Sequence, residues 1–329
     1  MISTMTMLRL PSLGGGPLGP SCCLALALLG CDPSEEEDGL VDASFRLLDW
    51  GCRDCGYKNS PTNGLHELGS FVVDKGLYGS GLAMTAAEDP AGNRFPVLVD
   101  GHAIVAETPS GAVMGAGLDG WSLVFEDPSG YELRVVVTAF AYHPDWVLGD
   151  PIPTYGLSYH DPKDPDAPLA NVCPGRVPDE TSVVLVADEL YDEATKTVQP
   201  EQYGWVTMAC GGHAVAKLKF LGHDPNDGYG SSWEQRQAAL KMITADYCGT
   251  GQSFTQLGQP LMWVDELDNF PASALPYLGQ VEARWSEEGA LCLDEPRLVS
   301  RADVEDVCSI PTCDGDTDLG GARWLTLLP

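Results

Sequence analysis

Positive charge is what this chain has least of. Its 329 residues carry 18 lysines and arginines against 48 aspartates and glutamates, a formal net charge of −30. A surface of that sign repels phosphate backbones and anionic lipid headgroups, which excludes nucleic acid as a partner. Two uses of the charge remain, solubility outside the cell and capture of cations, and we read it as solubility. Apolar length is missing too. The run Cys22 to Leu29 falls far short of the roughly twenty residues that a spanning helix needs. No HExxH, GxSxG elbow or P-loop occurs, and no repeat of about 20–50 residues, so neither those chemistries nor a solenoid has support. The six histidines (His66, His102, His143, His160, His213, His223) show no paired metal spacing.

What the chain does have is punctuation. With 37 glycines, 25 prolines and a 44% hydrophobic composition, it can bury a core built from short strands and many turns. Its length suits two domains or one large one. The first thirty residues read as a targeting segment rather than fold: Arg9 is their only charge, and the apolar run ends in Leu28-Leu29-Gly30-Cys31. A short apolar core before a small residue is what an export signal requires. The tetrad resembles a bacterial lipobox, which implies cleavage before Cys31 and lipid attachment to it. The expected location is the periplasm, outer membrane or cell surface, with the lipid as the membrane contact. Residues 31–43 follow as an acidic tether.

Of the 11 cysteines, Cys22 and Cys23 leave with the signal and Cys31 takes the lipid, so eight remain: Cys52, Cys55, Cys173, Cys210, Cys248, Cys292, Cys308 and Cys313. An even number in an exported chain argues for disulfides, whose connectivity sequence cannot choose. Local pairs are the expectation, Cys308 with Cys313 and Cys210 with Cys248. Cys52 and Cys55 form a CxxC, but Gly56, Asn59, Ser60 and Pro61 deny it the helix that a redox motif needs. No second CxxC completes a zinc site, so its role is structural.

Residues 44–150 read as β-rich. Phe71-Val72-Val73, Val97 to Val99, Ala103 to Val105, Ser122 to Phe125 and Leu133 to Phe140 are short β-branched or aromatic runs between turn residues, the rhythm of a sandwich or barrel. Asp127-Pro128-Ser129-Gly130 predicts a hairpin turn. Gly115-Ala-Gly117-Leu-Asp-Gly120 matches the dinucleotide fingerprint by letter, but a strand follows where a helix must, so these glycines make a turn. Residues 151–182 continue a proline-rich connection that begins near Tyr142. Its Asp161, Asp164 and Asp166 are candidate calcium ligands, and a stiff linker is the preferred reading.

Residues 183–329 are the motif-bearing region. Val183 to Val186 reads as a strand and Ala209 to Leu221 as a helix. The clearest helix opens at Ser231 or Ser232, each three residues before a Glu or Gln that completes a capping box. Trp233, Leu240, Ile243 and Tyr247 predict one apolar stripe, and Gly249 a left-handed end, before a strand at Leu261 to Val264. Ala245-Asp246-Tyr247-Cys248-Gly249 resembles the signature of the ADYC-domain family, secreted proteins and lipoproteins typical of myxobacteria. Met208-Ala209-Cys210 with Ala216-Lys217, and Glu282-Ala283-Arg284-Trp285 with Gly289-Ala290-Leu291-Cys292, are similar to its flanking blocks. The resemblance implies location and architecture, not an activity. Members of the family often carry a cysteine after the Ala-Lys and another shortly before the signature. Leu218 and Ala238-Ala239 stand there in this chain, and their joint loss implies that the two cysteines are disulfide partners joining two helices.

Two sharper chemistries compete with a structural role. Cys248 as a nucleophile, with His213 or His223 as base and Asp246 or Asp265 orienting it, would make a secreted cysteine-dependent hydrolase. The negative end of a helix and the adjacent Asp246 both disfavour the thiolate, so a disulfide is the better reading. Asp314, Asp316 and Asp318 resemble half an EF-hand loop, which would make a calcium-dependent adhesion module. Leu319 and Leu325 occupy the positions of the turn glycine and closing glutamate. The reading is therefore an α+β fold, a β-rich region followed by two helices against short strands, stapled by disulfides. No cofactor is expected, and the role is non-catalytic binding or envelope support.

Overall fold

The computed structural model describes residues 61–63, 66–73, 81–143, 151–161, 164, 166–173, 181–225, 231–255, 259, 261–266, 280–313 and 320–328. Cys31, the acidic tether, Cys52, Cys55, Asp314, Asp316 and Asp318 lie outside the described residues. The first strands are β1 (Ser70–Val72), β2 (Leu82–Glu88), β3 (Arg94–Phe95), β4 (Val97–Asp100), β5 (Ala103–Thr108) and β6 (Gly111–Met114). Then come β7 (Ser122–Glu126), β8 (Glu132–His143), β9 (Ile152–Tyr159), β10 (Ala170–Asn171), β11 (Ser182–Ala187) and β12 (Leu190–Asp192). The last are β13 (Thr197–Gln199), β14 (Trp205–Cys210), β15 (Met262–Asp265), β16 (Gln280–Ser286), β17 (Gly289–Leu293) and β18 (Trp324–Leu328). Three α-helices are described: α1 (Ala214–Phe220), α2 (Trp233–Thr244) and α3 (Arg301–Glu305). The chain is α+β, as its pattern predicts.

The main sheet runs in the order β1-β14-β11-β9-β8-β7-β2-β3, with β10 against β9 and a short parallel pairing between β1 and β2. Strands from both sides of the proline-rich segment share this sheet, and part of that segment is itself strand β9, Tyr142 facing Pro153 across the ladder. Gly115 to Leu118 form a single 3-10 turn that feeds β7, with Gly115 and Gly120 at φ of 57° and 78°. Asp127 closes the β7–β8 hairpin by accepting the backbone N–H groups of Ser129 and Tyr131.

Burial explains why β11 is apolar without alternation. Val183 and Leu185 face one core with Phe71, Phe125, Val135 and Leu157, while Val184 and Val186 face a second with the helices. Both faces of the strand are covered, so no position is free to be polar. Helices α1 and α2 lie in that second core together with Trp263, Trp285 and Trp324 of a four-stranded antiparallel sheet, ordered β15-β18-β16-β17. Leu218 and Ala238-Ala239 are fully buried there, where α1 and α2 pack together.

Two local expectations need correction. Ala209 and Cys210 belong to β14, paired with Val184 and Val183. The helix starts only at Ala214, where His213 Nδ1 accepts the Val215 N–H. Helix α2 takes the Ser232–Gln235 capping box, but it is not amphipathic in the expected way. Every residue from Gln235 to Thr244 is buried, so its polar side chains answer to buried partners rather than to water.

Candidate functional site

The segment 245–249 follows α2 and meets β16 through Glu282, β17 through Ala290 and, beyond the end of α3, Cys308. Ala245 adopts the left-handed conformation at φ 50° and caps the helix, so the left-handed stop is here and not at Gly249. Asp246 accepts the Thr250 and Gly251 N–H groups at 3.0 and 2.8 Å and the Lys241 ammonium at 2.7 Å. It clamps the turn to the last turn of its own helix. Tyr247 is buried against Trp285, ring centroids 5.1 Å apart, and donates its phenol to Glu282. Arg297 grips the same carboxylate at 2.7 and 2.9 Å. Burial pushes the Tyr247 phenol up, with the Glu282 charge acting in the same direction. Gly249 lies at φ 67°, and a Cβ there would fall 1.9 Å from the Glu288 carbonyl. That close approach, rather than a helix end, is what requires glycine.

Cys248 is bonded to Cys308, Cys173 to Cys210 and Cys292 to Cys313. Neither expected local pair forms, and the cause is which core each sulfur faces. Cys173 and Cys210 lie in the core inside the main sheet, whereas Cys248 and Cys308 pack against the helical core. Cys313 packs against a third cluster on the far side of the small sheet. The residues proposed as a catalytic group are not assembled as one. His213 Nε2 is 3.3 Å from Glu193, the His223 ring packs on Trp324 at 4.7 Å, Asp265 is buried on β15, and Asp246 holds Lys241. Paired with Cys308, Cys248 has no thiol to ionise. Alkylation of denatured, unreduced protein followed by peptide mapping should therefore modify none of these six cysteines. Cys248→Ser should expose Cys308 to modification and lower unfolding free energy by about 2–4 kcal/mol. Rapid labelling of Cys248 in native protein would restore the nucleophile reading.

A concave feature with polar walls lies elsewhere among the described residues. A cavity of about 390 Å³ opens between β1, the β12–β13 hairpin, β14 and the start of α1. Tyr191 on its wall donates to Glu189, and Glu189 is gripped by Arg236 of α2 at 2.9 and 2.6 Å. Burial raises the Glu189 carboxyl and the Arg236 guanidinium opposes it, while burial and the Glu189 charge raise the Tyr191 phenol. Thr207 donates to the Glu189 carbonyl at 2.7 Å. His213 is pulled below its usual range by burial, which the Glu193 hydrogen bond only partly opposes. Because its Nδ1 accepts from Val215, the proton sits on Nε2 and is donated to Glu193. Asp192 is held below its ordinary value by hydrogen bonds from its own turn, first from Thr195.

Sequence reasoning found His213 and missed Glu67, Glu189, Tyr191, Glu193 and Arg236. Their one signal is Arg236, the single arginine of the clearest helix, and only the tertiary contact with Glu189 makes it readable. Asp161, Asp164 and Asp166 do not gather. Among the described residues no three metal-ligating side chains are placed to hold an ion.

The model of one protein family, the ADYC domain, matches residues 115–299. No curated protein and no solved structure matches the chain.

Proposed function

This chain belongs to the ADYC-domain family, and from that premise we propose that it is an exported protein, lipid-anchored at Cys31, with a non-catalytic binding role at the envelope. The observation that carries the reading is the occupation of the signature itself. Asp246, Tyr247 and Cys248 are spent on a turn clamp, a buried hydrogen bond and a disulfide. In this reading the cavity lined by Tyr191, Glu193 and His213 is a place where a ligand could sit. Three disulfides support export, since they persist in oxidising compartments. Among the described residues no helix is long and apolar enough to cross a membrane.

The anchor is tested by fractionation. Wild-type protein expressed in a bacterium with lipoprotein processing should sediment with membranes and withstand a high-salt wash. Cys31→Ser should carry neither the lipid nor the cleavage at residue 31, read by mass spectrometry of its N-terminus. An unlipidated wild-type N-terminus by mass spectrometry would remove the anchor from the reading.

A further inference from the structure

We propose that Lys219 and Asp224 become joined by an amide bond between their side chains, formed within the folded chain with His102 as the proton carrier. This modification lies away from the cavity and is independent of the binding reading above.

The end of α1 brings the two side chains together. The Gly222 and His223 N–H groups donate to the Lys219 and Leu218 carbonyls, and Gly222 takes a φ of 76°. That left-handed stop folds Asp224 back onto the last turn of the helix. Lys219 Nζ stands 2.6 Å from Asp224 Oδ2, and each side chain is 2% exposed. Nζ also donates to the Leu185 carbonyl of β11 at 2.5 Å. His102, in the turn between β4 and β5, places Nδ1 2.5 Å from Nζ and 3.5 Å from Oδ2. One imidazole nitrogen thus reaches both the attacking nitrogen and the leaving oxygen. Burial, followed by the Lys219 charge, lowers the His102 imidazole against the opposing pull of Asp224. Near neutral pH the ring is therefore uncharged, and Nδ1 can accept a proton.

A dry site penalises an ammonium and a carboxylate alike. Transfer of one proton from Nζ to the carboxylate leaves a neutral amine in contact with a neutral acid. The amine lone pair attacks Cγ, and the carboxyl becomes tetrahedral. His102 Nδ1 takes a proton from the new C–N nitrogen and returns it to the hydroxyl, which departs as water while the carbonyl re-forms. Ammonium and carboxylate become one amide and one water, with no oxidant or co-reactant. Holding the pair in place supplies the proximity that a free acid and amine lack. Lys241 and Asp246 form a second buried pair at 2.7 Å without this equipment. Asp246 accepts two backbone N–H groups, which favour its charged form. The other partners of Lys241 are the Thr195 and Gly249 carbonyls rather than an imidazole. That pair stays ionic and serves as an internal control.

Tryptic mapping of the reduced, alkylated full chain by mass spectrometry tests the bond. Wild type should yield Leu218 to Arg236 as one peptide, short by one water and uncut after Lys219, while Lys241 is cut normally. Lys219→Arg, which keeps the charge pair, and Asp224→Ala should both show full mass and cleavage after residue 219. A succinimide at Asp227-Gly228 would also lose water, but it leaves Lys219 cleavable and opens in mild base. Asp224 precedes Pro225, whose nitrogen carries no hydrogen, so no imide can form there. His102→Gln keeps an acceptor for Nζ but cannot carry the proton. In chain made in a cell-free reaction and sampled at one early time, it should lower the linked fraction by about tenfold or more. Its circular dichroism and melting temperature are measured alongside to show that it folds. Wild-type protein with its disulfides formed, at full mass and cut after Lys219, would overturn the proposal and leave an ion pair. Linkage of folded His102→Gln at the wild-type rate would overturn the role of His102.

Discussion

Arg297→Met should cost about 3–5 kcal/mol of unfolding free energy, because it leaves the Glu282 carboxylate buried without its cation. Both side chains are almost wholly inaccessible, and the guanidinium meets the carboxylate with two nitrogens. Glu282 also receives the Tyr247 phenol, whose oxygen accepts the Arg297 backbone N–H at 3.2 Å. One substitution therefore loosens the signature turn, strand β16 and the segment before α3 together. Urea unfolding at neutral pH measures the loss. The double variant Glu282→Gln/Arg297→Met should recover most of it, since the charge is gone and an amide oxygen can still accept from Tyr247. A loss below about 1 kcal/mol, or no recovery in the double variant, would mean that the pair is not the strut described here.

The second large effect is acid sensitivity through His223. Its ring is 1% exposed, neither nitrogen has a hydrogen-bond partner, and it packs on Trp324. Burial, with the nearby Arg236 charge second, lowers it from 6.5 to about 3. The folded state therefore holds the imidazole neutral while the unfolded chain protonates it. Between those two values the unfolded state binds more protons, so the contribution to stability is intact above about pH 6.5 and falls as pH drops toward 3. A shift of that size corresponds to a loss of about 3 kcal/mol by pH 4. His102 and His213 are shifted in the same direction, chiefly by burial, and steepen the total. Unfolding free energies of wild type and His223→Leu at pH 7 and pH 4 isolate the His223 share. Wild type should lose about 3 kcal/mol more than the variant over that interval. Parallel pH profiles would show that the ring finds a partner in solution.

How much of this was legible beforehand depends on range along the chain. The strands β5, β7, β8 and β11, the Asp127 hairpin turn and the Ser232 capping box were readable because each is a matter of neighbours within about four residues, where propensity and hydrogen bonding act directly. The glycines at 115–120 were readable as a turn for the same reason. The helix placed at Ala209 was misread because its first residues complete a ladder with Val183 and Val184, a partner distant in sequence that overrides local preference.

The six described cysteines show the division most clearly. Their number and setting indicated that they are oxidised, since redox chemistry depends on the compartment and not on the fold. Their partners depended on which core each strand face meets, and that puts Cys210 with Cys173 and Cys248 with Cys308. By itself the sequence determined the net charge, the α+β character and the family resemblance, all of which are properties of composition or of short segments. Only the tertiary structure decided that Glu189 and Arg236, 47 residues apart, stand behind one cavity wall, and that Tyr247 and Glu282 share one buried hydrogen bond. Burial of a charge is tolerable only when a partner arrives from elsewhere in the chain, and where that partner comes from is a fact of folding rather than of spacing.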